Sequence, residues 1–283
     1  MRLPATRFIV FNAAAGLVGV AALVAAVRSV LMPAALAPCT ERYHSMTAFN
    51  LERAGVPLTP ADLQASLGGK DVGVMDNVSI GPIKDAPAPL AMAVVVRQAN
   101  ATSQGSADPK GGATFPWEPR VLQGKAAACL SYHVRFPAGF DFQRGGALPG
   151  IGGADAAEGD SFLARLAWHP KGFGGVTVRV TAKGVASAIP AEREAFEFPR
   201  GKWVKLEQEV VLNTPKKADG ILRVWVDGTL AIDRTDMTYR ARPDVAASRV
   251  SVDVFYGSGP DDPQQAAAKD AKVWLSPLEV RWQ

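Results

Sequence analysis

From about residue 90 to the last residue of the sequence, apolar side chains recur at every second position in short runs, and no long helical period interrupts them. Val176, Val178 and Val180 alternate with Thr177, Arg179 and Thr181. A spacing of two sends successive side chains to opposite faces of an extended strand, so such a run reads as a strand with one buried face. The runs are Met92–Arg97, Ala128–Phe136, Ser161–Trp168, Gly175–Thr181, Trp203–Leu212, Gly220–Asp227, Arg249–Tyr256, Ala271–Leu275 and Leu278–Trp282, with Gly and Pro as punctuation between them. Asp227-Gly228 between two apolar runs is a hairpin turn. Many short strands without helices between them exclude a parallel α/β fold. They predict an all-β jelly-roll sandwich of two antiparallel sheets over residues 89–283.

The N-terminus reads differently. Residues 8–27 are apolar apart from Asn12. A helix of that length spans about 30 Å, the thickness of the bilayer core. Arg2 and Arg7 precede it, which keeps the N-terminus cytoplasmic and sends the rest of the chain outward. Residues 1–37 are therefore expected to be a transmembrane anchor or a signal peptide cleaved after Ala35-Leu36-Ala37. The protein would face the periplasm from the inner membrane, or be secreted. Residues 38–88 form a small segment expected to pack on the main domain, with Thr59 capping a helix that has Pro60 in its first turn.

Two cysteines are present, Cys39 and Cys129. Export to an oxidising compartment favours one disulfide between them over two buried thiols. No Cys-x-x-Cys pair exists, and Asp253 with Asp261-Asp262 reads as an acidic turn rather than a calcium site. No phosphate loop or nucleophile elbow is present, and neither metal nor cofactor is expected. The net charge is +4, but Arg2, Arg7 and Arg28 account for all but one of it. A nearly neutral body excludes nucleic acid as the main partner.

Several segments together resemble polysaccharide lyase family 14. They are the stretch 132–150 (YHVRFPAGFDFQRGGALPG), Ala164-Arg-Leu-Ala-Trp168, Val211-Leu-Asn-Thr-Pro215 and the run from Asp219 to Gly228. Asp253-Val-Phe-Tyr-Gly257 and Lys269-Asp270 are similar to the family's closing strands, and the likeness covers about residues 115–283. The resemblance implies a jelly roll with a cleft on one sheet for a uronic acid polymer such as alginate or glucuronan. It implies β-elimination: a base takes the C5 proton, an acid protonates the leaving oxygen, and a third group neutralises the carboxylate. The chain departs from the family pattern at Ala147, where Gly-Gly-Lys-Leu-Pro-Gly carries Lys. It departs also at Val176–Arg179, where a tyrosine pair is common, and at His169, where Arg or Lys is common.

The site expected from this pattern comprises Arg165 as carboxylate neutraliser, His169 and His133 as candidate bases, and Tyr256 as candidate acid. Arg165 and His169 are four apart and so share a strand face. Arg144, Arg179 and Lys183 would bind the anionic substrate. Each has a plain alternative: a solvated polar face for Arg165, a loop start for His169, a packed aromatic for Tyr256. Trp203, Trp225, Trp274 and Trp282 read as packing residues, and any one exposed in a cleft would stack on a sugar ring. Three functions stay open: a lyase or its degenerate descendant, a non-catalytic carbohydrate-binding module, and a structural envelope protein.

Overall fold

A computed structural model describes residues 36–96, 111–142, 145–154, 159–190, 192–257 and 270–283. The expected anchor at 8–27 and the signal cleavage site lie outside or at the edge of these. Among the described residues no helix is long and apolar enough to cross a membrane. Residues Pro38–Gln283 form one compact unit.

The unit begins with α1 (Cys39–Arg42), β1 (Ser45–Ala48), β2 (Glu52–Arg53), β3 (Val56–Pro57), α2 (Pro60–Ser66), α3 (Val74–Asn77) and β4 (Val78–Gly81). It continues with β5 (Ala91–Val96), β6 (Ala113–Trp117), β7 (Ala127–Arg135), β8 (Gly146–Ala154), β9 (Ser161–Trp168) and β10 (Phe173–Ala182). Then come β11 (Val185–Pro190), β12 (Phe196–Glu197), β13 (Trp203–Val211), β14 (Gly220–Val226) and β15 (Thr229–Met237). It closes with β16 (Ala246–Tyr256), β17 (Ala271–Leu275) and β18 (Glu279–Trp282).

The strands make two antiparallel sheets. One has nine strands, in the order β15-β14-β13-β7-β17-β5-β4, with β18 pairing β7 and β1. The other has seven, in the order β11-β10-β9-β8-β16-β6, with β12 on β10. Segment 38–88 supplies β1 and β4 as strands of the nine-stranded sheet, in register with β18 and β5. The helix expected after Thr59 is α2. The Thr59 hydroxyl accepts from Asp62 N–H, and the Asp62 carboxylate accepts from Thr59 N–H, which closes a capping box.

Alternation decides which side chains meet between the sheets. Leu130, Tyr132 and Val134 of β7 face Ala164 and Leu166 of β9 and Val250, Val252 and Val254 of β16 across one continuous core. At one end Phe136, Phe140, Phe142, Trp168, Phe198 and Tyr256 form an aromatic cluster with ring centroids 4.8–5.9 Å apart.

Strand β8 carries a register shift between Ala147 and Gly150. A bulge leaves ladder groups unpaired and bends the strand. The nine-stranded sheet satisfies the freed groups through the core. Tyr132 Oη donates to Pro149 O at 3.1 Å. Gln208, fully buried, accepts from Ile151 N at 3.2 Å and donates to Ala164 O at 3.0 Å.

Candidate functional site

The ladder register fixes which residues stand side by side on the outer face of the seven-stranded sheet. Three rows run across β16, β8, β9 and β10. The first is Phe255–Ala147–Ala167–Gly175. The second is Ser251–Gly150–Arg165–Thr177. The third is Arg249–Gly152–Leu163–Arg179. Strand β8 contributes only Ala147, Gly150 and Gly152 to the three rows, so the face is low along β8. The side chain of Arg249 lies over Gly152: a Cβ built there would stand 3.4 Å from Arg249 Nε.

Asp253 organises the polar part of this face. It is 2% exposed, and it stands beside Thr114 of β6 in the ladder. Thr114 Oγ1 donates to its Oδ1, Ser251 Oγ donates to its Oδ2 at 3.1 Å, and Arg165 Nη1 donates to its Oδ2 at 3.4 Å. The Arg165 guanidinium also lies over the Phe255 ring, 5.1 Å from its centroid. Removing the cation from a buried carboxylate leaves an uncompensated charge, which keeps the pair together. Arg165 is therefore committed to Asp253 and to Phe255.

The expected site residues divide between places. Arg165 and Arg179 share the outer face of the seven-stranded sheet, one row apart. Lys183 sits in the β10–β11 turn with φ of 51°. His169 lies just past the other end of β9, beside the start of β10, so a strand length of about 30 Å separates it from Lys183. The His169 Nε2 atom is enclosed and has no partner among the described residues. Burial holds the imidazole below its usual range, and Arg193 adds to the effect.

Tyr256 faces the core rather than a cleft. It alternates with Phe255, stacks on Phe140 at 5.6 Å, and donates its hydroxyl to Asp141 O at 2.8 Å. Burial raises the phenol above its usual range, which suits packing and not proton transfer. His133 belongs to the other sheet. Ala128, Leu130, Tyr132 and Val134 point inward, so His133 points to the outer face of the nine-stranded sheet, a sandwich thickness away from Arg165. Burial keeps its imidazole below the usual range as well, followed by the Lys205 cation. Arg144 lies outside the described residues.

Cys39 and Cys129 are joined, with S–S 2.07 Å, so their thiols offer no thiolate to a metal even though Glu207 lies beside them. The bridge ties α1 to the outer face of the nine-stranded sheet. There Thr40 donates to Glu207 through N at 3.2 Å and Oγ1 at 2.6 Å. Arg42 and Tyr43 donate to Glu209 at 2.8 and 2.9 Å.

Arg249, Ser251 and Thr114 belong to the face although the motifs did not point to them. The signal for Arg249 and Ser251 is the alternation Arg249-Val-Ser-Val-Asp253, which places three polar side chains on one face, and Thr114 joins them through the pairing of β6 with β16. Among the described residues the three rows hold no His, Lys, Tyr or Cys.

The model of the polysaccharide lyase 14 family matches residues 87–278. A search of curated protein sequences found no match. Among solved structures, the alginate lyase of Aplysia kurodai is 19% identical with a TM-score of 0.61, covering 78% of this chain and 94% of its own. The alginate lyase of a Chlorella virus is 20% identical with a TM-score of 0.60, over 79% and 97%. The endo-β-1,4-glucuronan lyase of Trichoderma reesei is 11% identical with a TM-score of 0.57, over 73% and 87%. At such identities these likenesses speak for the fold. The family match covers most of the chain and both sheets, and the chain belongs to the polysaccharide lyase 14 family.

Proposed function

We propose that this protein binds an anionic uronic acid polysaccharide on the outer face of its seven-stranded sheet and does not cleave it. The observation that carries this reading is the Arg165–Asp253 pair. β-Elimination needs a base for the C5 proton, an acid for the leaving oxygen and a cation free to take the developing charge. Here the central arginine already has a buried counter-ion, and Ala147 beside it can neither donate nor carry charge. The rows hold no titrating base among the described residues.

Binding is better provided for. Arg249 and Arg179 stand at the two ends of one row, their backbones three strand spacings or about 14 Å apart. They have small or apolar residues between them and no ion pair among the described residues. Two guanidinium groups on one open row suit carboxylates carried on different sugars of one polymer chain. The neighbours in fold are alginate and glucuronan lyases, which favours the same class of ligand. The apolar run at 8–27 and the disulfide favour a location outside the inner membrane, anchored or secreted.

The reading is tested by titrating the protein with alginate and glucuronan oligosaccharides. Arg179→Ala and Arg249→Ala should each weaken binding about tenfold, the ~1.4 kcal/mol of one charge-assisted hydrogen bond. Unchanged affinity in the double variant would contradict it.

A further inference from the structure

Among the described residues the outer face of the nine-stranded sheet is only half covered. On β13 and β7, Glu207 and Glu209 stand beside Ser131 and Cys129, and α1 with Tyr43 closes over this part. Among the described residues the next two rows have no such cover. One is Lys205–His133, and the other is Trp203–Arg135–Trp274 across β13, β7 and β17. Ser131, His133, Lys205, Ser276 and Glu279, with Pro87 on the rim, line a cavity of about 150 Å³ there. The two tryptophans flank the arginine and all three are partly exposed.

Arg135 is the unusual member. Its guanidinium lies 5.6 Å from the centroid of the Trp274 ring, and it makes no hydrogen bond or ion pair among the described residues. Its neighbour Trp203 keeps an indole N–H without a partner too. A partly exposed guanidinium between two partly exposed indoles can exchange its water for an anionic ligand. The two indoles are two strand spacings apart, about 10 Å, which is the length of one disaccharide unit. Pyranose rings present C–H faces that pack on indole, and a uronate adds a carboxylate that a guanidinium takes with two parallel bonds.

We propose that this row and the adjoining cavity form a second polysaccharide site on the sheet opposite the first, with acidic sugar as its occupant. Uronate rings pack along Trp203 and Trp274 and a carboxylate meets Arg135, while the adjoining cavity, where Lys205 is paired with Glu207 and Glu279 adds a carboxylate, receives sugar hydroxyls only. The ligand class rests on the proposed function; the place and the residues do not. With a site on each sheet, one molecule could bridge two chains of the polymer.

The test is nuclear magnetic resonance of the indole N–H signals in the whole Pro38–Gln283 unit, assigned with Trp203→Phe and Trp274→Phe. Alginate and glucuronan hexasaccharides are the probes. The signals of Trp203 and Trp274 should shift saturably, in the wild type and equally in the Arg179→Ala/Arg249→Ala double variant. Arg135→Gln should weaken that shift about tenfold in ligand concentration. Shifts that persist while the double variant keeps full affinity would sink the first site and leave this one standing. Absence of shifts with both probes would overturn the second site, as would their loss in the double variant. Equal shifts from a neutral cello-oligosaccharide would overturn the role given to Arg135.

Discussion

Asp253 and Gln208 hold positions that no neighbour can take over. Asp253→Ala would leave Arg165, whose side chain is 14% exposed, without its counter-ion. Breaking a buried pair from one side costs about 3 kcal/mol. Urea unfolding should show a loss of that order, and Asp253→Asn, which keeps a hydrogen-bond acceptor, a smaller one. Gln208→Leu would strand the Ile151 N–H and the Ala164 carbonyl in the core, for about 2–3 kcal/mol. His133 and His169 act on stability through pH. Their native pKa values are depressed by burial, so the unfolded chain binds more protons below the unperturbed value of about 6.5. Stability from this source is therefore complete above that pH and falls as pH drops toward the native values. Melting temperatures between pH 8 and 5 should decline on the acid side, and His133→Gln with His169→Gln should flatten the decline. At this scale the sequence was partly legible. The alternation of residues 249–255 tells which side chains share a face. It does not tell that Arg165 finds Asp253, 88 residues away, because that pairing depends on β8 lying between β9 and β16.

Strands were easier to read than their partners. Runs with clean alternation, such as Val176–Thr181 and Val204–Val211, became strands close to their expected bounds, because one buried face imposes period two on the sequence. β1 and β4 were not read as strands. Each is four residues long and gains its order from an edge supplied by β18 or β5. The Gly-Gly of the family-like motif has a packing reason. Gly145 has φ of 94°, and a Cβ on Gly146 would lie 2.1 Å from Trp168 Cζ2. Asn213, in the Leu-Asn-Thr-Pro motif, is likewise structural: it accepts from Tyr239 N and Arg240 N and donates to three carbonyls of the surrounding loops. The disulfide acts on an element. It closes a loop over 90 residues of sequence and holds α1 against two buried carboxylates. Chain entropy alone gives such a link about 4–5 kcal/mol. Cys39→Ser with Cys129→Ser should lower the melting temperature by roughly 10 °C, and a reductant should do the same to the wild type alone.

The sandwich as a whole presents two outer faces of different character. One is low along β8, with arginines at the ends of a row and a further arginine tied to Asp253. The other is half closed by a disulfide-linked segment and half open over an arginine between two tryptophans. The fold class and the family-like segments are readable in the sequence alone, because strand alternation and Gly placement are local. Whether chemistry survives on the fold was not readable. It depends on which charges meet across the sheet and on where His133 and Tyr256 point, and both turn away from Arg165. The central claim is retention of the polymer without its cleavage. The most direct measurement follows the ultraviolet absorbance of the unsaturated product while the same protein sample is shown to bind alginate or glucuronan. The account predicts binding with a flat trace. A sustained rise in absorbance that Arg165→Ala abolishes would contradict it and make the protein a lyase.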